Sequence, residues 1–341
     1  MVPEPDFRKQ AAPEHGGAAR SAHFWSWARA LSKHRDGLAA LRFLPVYFAA
    51  AVLFFFLLWT VVSSLVPPQM PKLWQQTVAE IILLVAAIAP ALAIAHLEAR
   101  SFGSYGLPLR VEFARLLGVG GLMGLAALSL LLAALRIIGC VSFHGVHLHG
   151  LRVWKFALFW ALFFSLVALF EEFAFRGYFL FALSRASGFW PAALISSAIF
   201  GYTHHSNRGE TWLGALGAGI IGLFFSFTIR RTGNLWFAVG MHASWNWGQT
   251  FLYGVPDSGM LEPGHLFQAS LYGPSWLSGG SVGPEGSVLL FALIAILWVV
   301  FDRLYPRRNG GSAFVHQDSR GGAQIDNDAP PSGRPSDDYH Q

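Results

Sequence analysis

The chain has 341 residues, of which 54% are hydrophobic and only 13% are charged. Soluble domains carry about 25% charged residues, so this composition excludes an ordinary soluble domain and indicates burial in a lipid bilayer. The net charge of +5 does not indicate nucleic-acid binding, because the basic residues stand at the ends of apolar segments rather than in one patch.

Two polar tails flank the apolar part of the chain. Residues 1–40 are polar and basic, and residues 307–341 are rich in Gly, Ser, Pro and Asp, a composition typical of disorder. We expect residues 41–306 to form one transmembrane domain. Its apolar runs are 41–66, 74–98, 113–136, 153–184, 190–204, 212–229, 234–253 and 287–304. Because a spanning helix needs about 20 apolar residues, the runs predict an all-α, polytopic membrane protein with about eight transmembrane helices.

The basic residues predict how these helices are oriented. Cytoplasmic loops of membrane proteins are enriched in Lys and Arg. With eight spans and both termini in the cytoplasm, the residues assigned to the outside are Lys72, Arg136, Arg152, Lys155 and Arg208, and the long extracytoplasmic loop 254–286 holds no Lys or Arg. The residues assigned to the cytoplasmic side are then Arg100, Arg110, Arg115, Arg185, Arg230, Arg231, Arg303, Arg307 and Arg308. A count of seven spans would place one tail outside and lose this asymmetry.

Three charged residues interrupt the fourth apolar run in the sequence FEEFAFRGYF. Charge at membrane depth costs several kcal/mol and marks candidate functional residues. Glu172 and Arg176 are four residues apart with the glutamate first, so a helix would pair them. Glu171 lies about 100° around that helix from Glu172, so it should not share this partner. The spacing therefore leaves Glu171 free for chemistry.

Two later runs carry further polar residues. FGYTHHS places Phe200, His204 and His205 at the end of the fifth run, and MHASWNW places His242 and Asn246 on one face of the seventh. Taken singly, each could be a packing residue or a hydrogen-bonding contact between helices.

The depth of these polar residues within the predicted helices indicates a shared site. At ~1.5 Å per residue, four polar residues lie about 12 to 20 Å from the cytoplasmic ends of three different helices. These residues are Glu171, His204, His242 and Asn246. We therefore expect them to line one intramembrane cavity.

These motifs, in this order on successive helices, resemble those of a known family. Glu-Glu-x-x-x-Arg stands at 171–176, Phe-x-x-x-His at 200–204 and His-x-x-x-Asn at 242–246. The same ordered set is typical of the CPBP (CAAX protease and bacteriocin-processing, or Abi) intramembrane proteases, whose eukaryotic relative is the prenyl-protein CAAX endopeptidase. The resemblance covers roughly residues 80–300.

The resemblance implies an endopeptidase in the bacterial inner (plasma) membrane that cleaves a membrane-associated peptide or protein. Glu171 would be the general base on water, with His204 nearby. His242 and Asn246 would polarise the scissile carbonyl or hold the oxyanion. The implied supporting residues are Glu172 and Arg176. His205 falls outside the motif spacing.

The sequence leaves the cofactor and the function class open. A carboxylate and two histidines, Glu171, His204 and His242, match a catalytic shell for a divalent metal such as Zn²⁺. However, the HExxH signature is absent, and a metal-free mechanism would use the same residues. Two alternatives to a protease also remain: a transporter or proton relay, and a non-catalytic membrane scaffold or immunity protein.

Overall fold

The computed structural model describes residues 41–67, 69–109, 112–207 and 209–306, with only the backbone of Glu112. The two predicted tails, 1–40 and 307–341, lie outside the described residues. The chain is mostly helical. The α-helices of the described part are α1 Phe43–Leu65, α2 Lys72–Leu97, α3 Glu112–Ile137, α4 Leu151–Arg176, α5 Tyr178–Ser187, α6 Phe189–His204, α7 Trp212–Thr232, α8 Trp236–Trp247, α9 Ser275–Ser278 and α10 Leu289–Leu304. A π-helical turn, Gly248–Tyr253, follows α8, and 3₁₀ turns cover Phe102–Tyr105 and Pro284–Gly286.

Five helical stretches in the described part are long and apolar enough to cross a membrane. They are Phe43–Leu65, Lys72–Leu97, Phe113–Ile137, Leu151–Ser187 and Trp212–Thr232. The chain is therefore an integral membrane protein. The runs at 190–204 and 287–304 form helices of only 16 residues each. The count of eight spans and the cytoplasmic termini stay predictions.

The fourth apolar run, expected as one helix, is broken. α4 ends at Arg176, and Gly177 adopts φ −81° and ψ −116° before α5 begins. A Cβ atom at this position would overlap the carbonyl oxygen of Phe173, so glycine permits the turn. The depth of Glu171, which was counted along a continuous helix from Leu183, therefore does not hold as calculated.

A small sheet corrects the all-α expectation. β1 (Val141–Val146) pairs antiparallel with β2 (Phe267–Leu271), with Val141 opposite Leu271. The two strands are short and far apart in the sequence, so no turn signal joins them as a local hairpin would. Their pairing connects the segment between α3 and α4 to the long loop after α8.

The loops gather at two ends of the helical bundle. At the sheet end, Lys72 forms an ion pair with Glu262 (3.1 Å) in addition to the pairing of the strands. At the other end, the backbone N–H of Leu235 donates to the carbonyl of Gly106 at 2.8 Å. We call the first the sheet end, which holds segments 138–150 and 254–288, and the second the arginine end, which holds segments 98–109 and 233–235.

Close backbone packing sets the position of α8. Gly120 and Gly124 form a GxxxG pair on α3, a spacing that lets transmembrane helices approach closely. A Cβ atom on Gly120 would overlap the carbonyl oxygen of Phe237, and one on Gly124 would overlap that of Met241. These contacts fix the turn of α8 that leads directly into His242.

α6 and α7 meet in the same way. A Cβ atom on Gly201 would lie 2.6 Å from the carbonyl oxygen of Ala215 and 3.0 Å from Cα of Gly219. Because His204 follows Gly201 by one turn, this contact places the histidine beside α7.

We predict that Gly120→Ala destabilises the protein by about 1 to 3 kcal/mol, the usual cost of overpacking. The added methyl group would force α3 and α8 apart. Gly118→Ala is the matched control, because a Cβ atom there meets nothing within 4 Å. Thermal unfolding of the purified protein in detergent would measure both variants, and equal midpoints would contradict the packing argument.

Candidate active site

A cavity of about 640 Å³ lies among α2, α4, α6, α7, α8, α10 and the loop 254–286. This volume is typical of ligand-binding pockets. The four residues expected to meet all line it: Glu171, His204, His242 and Asn246. Three separate helices therefore deliver these side chains to one space.

Glu171 projects from α4 towards His242 on α8. Its Oε2 atom lies 3.7 Å from Nε2 of His242. This oxygen is buried and has no hydrogen-bond partner among the described residues, although the side chain as a whole is 24% exposed. The carboxylate thus keeps acceptor capacity for a water molecule or a substrate group.

Glu172 contacts two groups, the guanidinium of Arg176 and the imidazole ring of His242. Its Oε1 atom lies 3.3 Å from Nη1 of Arg176 and 3.0 Å from Nδ1 of His242. The ion pair expected from the helical spacing is therefore confirmed, and both of its side chains are fully buried. The contact with His242 was not expected from the sequence. A carboxylate on Nδ1 fixes the orientation and tautomer of an imidazole ring.

Arg176 also packs against the second motif. Its guanidinium lies 4.0 Å from the ring centroid of Phe200, within cation–π range. Gly222 makes room for it, because a Cβ atom there would overlap Nη2 of Arg176. The ion pair on α4 is thus packed between α6 and α7.

Phe200 positions His204 through two contacts. Nδ1 of His204 lies 2.8 Å from the carbonyl oxygen of Phe200, and the two ring centroids are 4.3 Å apart. His205 turns away and stacks on Trp212 at 3.9 Å. Only the histidine at the motif spacing lines the cavity, whereas its neighbour does not.

Five cavity carboxyl groups were not among the expected site residues: Glu80 on α2, Glu210 just before α7, Asp257 and Glu262 in the long loop, and Glu285 in the last 3₁₀ turn. Glu80 interrupts an apolar run, which is a signal that could have identified it. The other four stand in polar loops and turns, where acidic residues are common and carry no such signal.

Asp257 and Glu285 belong to a polar network at the sheet end. Thr250 Oγ1 donates to Asp257 at 3.2 Å, and the backbone N–H of Ser258 donates to Glu285 at 2.7 Å. Gln249 donates a further hydrogen bond to Glu285. Burial raises the pKa of Asp257 from 3.8 to about 7. Burial and the neighbouring Asp257 raise the pKa of Glu285 well above its ordinary value.

The side chains present do not fit a preformed metal centre. Both ring nitrogens of His242 face carboxylates, and Nδ1 of His204 faces a backbone carbonyl. Within the described part of the chain, no group of three or more His, Cys, Asp or Glu side chains is placed to hold a metal ion. A catalytic zinc site usually needs three such ligands, so we derive no step through a metal.

Comparison with known proteins supports one protease family. The sequence model of a family described as type II CAAX prenyl endopeptidase Rce1-like matches residues 153–248, which contain all three motifs. This match supports the CPBP/CAAX protease family. Rce1-like proteins are proteases, so the family supports a protease embedded in a membrane. No curated protein matches the chain. No solved structure matches it either.

In this CAAX-protease-like site, we predict that Glu172→Gln lowers both stability and activity. Removing the carboxylate leaves Arg176 buried without its counter-charge, which costs about 3 to 5 kcal/mol. The double variant Glu172→Gln/Arg176→Met should recover most of the unfolding midpoint in detergent, since no unpaired charge remains. Cleavage should stay impaired, because His242 has lost its carboxylate partner. Recovery of cleavage together with stability would contradict this positioning role.

We also predict that stability decreases as the pH rises from about 4 to about 7. Between pH 3.8 and the raised pKa of about 7, Asp257 binds a proton in the folded state that the unfolded state has released. Stability therefore falls as pH increases through this window. Asp257→Asn should flatten the pH dependence of the thermal midpoint. A slope unchanged by the substitution would contradict the assignment.

Proposed function

We propose that this chain is an intramembrane endopeptidase that hydrolyses a peptide bond of a membrane-associated peptide or protein. One observation carries the proposal. A carboxylate with a free buried oxygen, Glu171, faces His242 inside a cavity that also receives His204 and Asn246. Peptide hydrolysis needs an activated water and a group that stabilises the oxyanion, and this set offers both.

In the proposed mechanism, Glu171 accepts a proton from a water molecule as the water oxygen attacks the scissile carbonyl carbon. Asn246 and His242 donate hydrogen bonds to the oxyanion that forms on the carbonyl oxygen. Collapse of the tetrahedral intermediate breaks the C–N bond. Glu171 then returns the proton to the leaving amine, so one water is consumed and the enzyme is unchanged.

Glu172 orients His242 for this task. In the imidazolium form, which the two facing carboxylates favour, His242 donates its Nδ1–H to Glu172 and directs its Nε2–H towards Glu171, where the reacting carbonyl would lie. His204, with its Nδ1 proton on the carbonyl of Phe200, keeps Nε2 available to the attacking water. The buried Arg176 balances the charge of Glu172 and acts through it, without touching the substrate.

The cavity wall suits a substrate that comes from a bilayer. α4 contributes an apolar surface of Trp160, Phe163, Phe164, Val167 and Phe170. Such a surface favours burial of apolar peptide side chains or lipid-like groups. We propose the bacterial inner (plasma) membrane as the location of the protein.

The direct test is the isosteric variant Glu171→Gln. It keeps the shape of the side chain and removes the base, so we expect cleavage to fall at least 100-fold, about the usual contribution of a general base. The measurement is a proteomic comparison of new peptide termini in membranes that contain the wild-type protein or the variant. Asp302→Asn, at the arginine end and outside the cavity lining, is the control.

Identical termini in the wild-type and Glu171→Gln membranes would contradict the protease and favour a scaffold, immunity or transport role. Cleavage that survives both His204→Ala and His242→Ala would contradict the assigned roles. The metal content of the purified protein and cleavage during chelator titration would distinguish a metal-assisted mechanism from the metal-free one.

A further inference from the structure

Glu80 is a carboxyl group of the cavity that the proposed mechanism does not use. It is the only acidic residue of α2 and stands within an apolar stretch of that helix. It lines the cavity together with Gln76, which lies one helical turn before it on the same face. The Oε2 atom of Glu80 is buried and has no hydrogen-bond partner among the described residues. Because an unpaired carboxyl group at membrane depth is costly, Glu80 is a candidate functional residue.

Most of the other carboxyl groups of the cavity already have partners in the protein. Four of them accept a hydrogen bond or form an ion pair: Glu210, Asp257, Glu262 and Glu285. The remaining one is Glu171, whose Oε2 atom is also buried without a partner. Glu80 on α2 and Glu171 on α4 are therefore the two cavity carboxyl groups with a buried oxygen that no described group satisfies.

The cavity lining supplies no cation for Glu80. Among the described lining residues there is no Lys or Arg. The ring of His242 already faces the carboxylates of Glu171 and Glu172, so it does not neutralise a third. Glu171 acts on Glu80 as a like charge, and such repulsion is stronger in apolar surroundings than in water. A cation brought by a ligand would therefore be attracted by both carboxyl groups.

The wall beside Glu80 suits the stem of a basic side chain. The first turns of α2 and α4 pack together, with the rings of Trp74 and Phe159 in edge-to-face contact at 5.6 Å. The same part of α4 exposes Trp160 and Phe163 to the cavity. Lys and Arg side chains bury their aliphatic stems along apolar surfaces, and their charged groups bind to aromatic faces. The aromatic wall and the free carboxyl group together form a surface for such a side chain.

We propose that Glu80 is a specificity-determining residue that binds a Lys or Arg side chain of the substrate close to the bond that is cleaved. The proposal rests on the proposed protease function, since it names a feature of the substrate for the same site. The bound cation gives the Oε2 atom of Glu80 a donor and reduces the repulsion between Glu80 and Glu171. Glu80 recognises the charge, while the neighbouring peptide bond meets Glu171.

The sequences around the cleaved bonds are the first test. The termini that depend on Glu171 are mapped by comparing membranes that contain the wild-type protein or Glu171→Gln. We expect Lys or Arg to be enriched within about three residues of the cleaved bond, because an extended chain covers about 10 Å in that length. Such termini without this enrichment would overturn the inference and leave the protease intact. The absence of any terminus that depends on Glu171 would instead overturn the proposed function.

A double-mutant cycle distinguishes a direct ion pair from a structural role of Glu80. The purified full-length protein is given a synthetic peptide that covers a mapped site, or the same peptide with norleucine in place of the basic residue. We expect Glu80→Gln to lower kcat/KM for the charged peptide by about 10- to 100-fold, the effect of losing one hydrogen bond to a charged group. The norleucine peptide should be affected little. Equal losses on both peptides would overturn the inference, and so would equal cleavage of both peptides by the wild-type protein.

Glu262→Gln is the matched control, because it makes the same change at a lining carboxylate that already pairs with Lys72. It should keep the preference for the charged peptide. A loss of preference equal to that of Glu80→Gln would overturn the assignment to Glu80. Glu80→Asp, which keeps the charge, should retain a preference for the charged peptide, and cleavage of both peptides at equal rates by this variant would contradict recognition by charge.

Discussion

The carboxylate of Glu172 is the interaction on which the site depends. It binds Arg176 on its own helix and His242 on α8, so it both neutralises a fully buried cation and joins two motifs. Neither charge could remain alone at this depth, because an unpaired ion in lipid or protein costs several kcal/mol. The same contact directs the second nitrogen of His242 towards Glu171. The Glu172–Arg176 ion pair therefore positions His242, which in turn faces the unpaired carboxylate oxygen of Glu171.

Close helix packing makes this contact possible. The glycines of α3 allow α8 to approach along the turn before His242, and Gly201 does the same for α6 against α7. Larger residues at these positions would separate the helices by more than a hydrogen bond can tolerate. Phe200 completes the arrangement, since its ring packs on Arg176 and its carbonyl oxygen faces His204. Apolar packing and polar chemistry thus use the same helical turns.

Local and periodic features were predictable from the sequence. The pair of Glu172 with Arg176 follows from helical spacing. Convergence on one cavity was expected from depth on three helices, although the depth of Glu171 was counted through the break at Gly177. Features that depend on contacts between distant segments were not predictable. The sheet of β1 and β2, the hydrogen bond between Glu172 and His242, and the network of Asp257 with Glu285 all join residues whose pairing no local pattern indicates. The break at Gly177 lay within an apolar run whose composition favoured a continuous helix.

In the proposed mechanism, Glu171 activates water for peptide hydrolysis inside the cavity. Incubating membranes in ¹⁸O-labelled water tests it most directly, because hydrolysis transfers one water oxygen to each new carboxyl terminus. We expect ¹⁸O-labelled termini in wild-type membranes and loss of those termini with Glu171→Gln. The same labelled termini appearing at the wild-type rate in the Glu171→Gln membranes would contradict it.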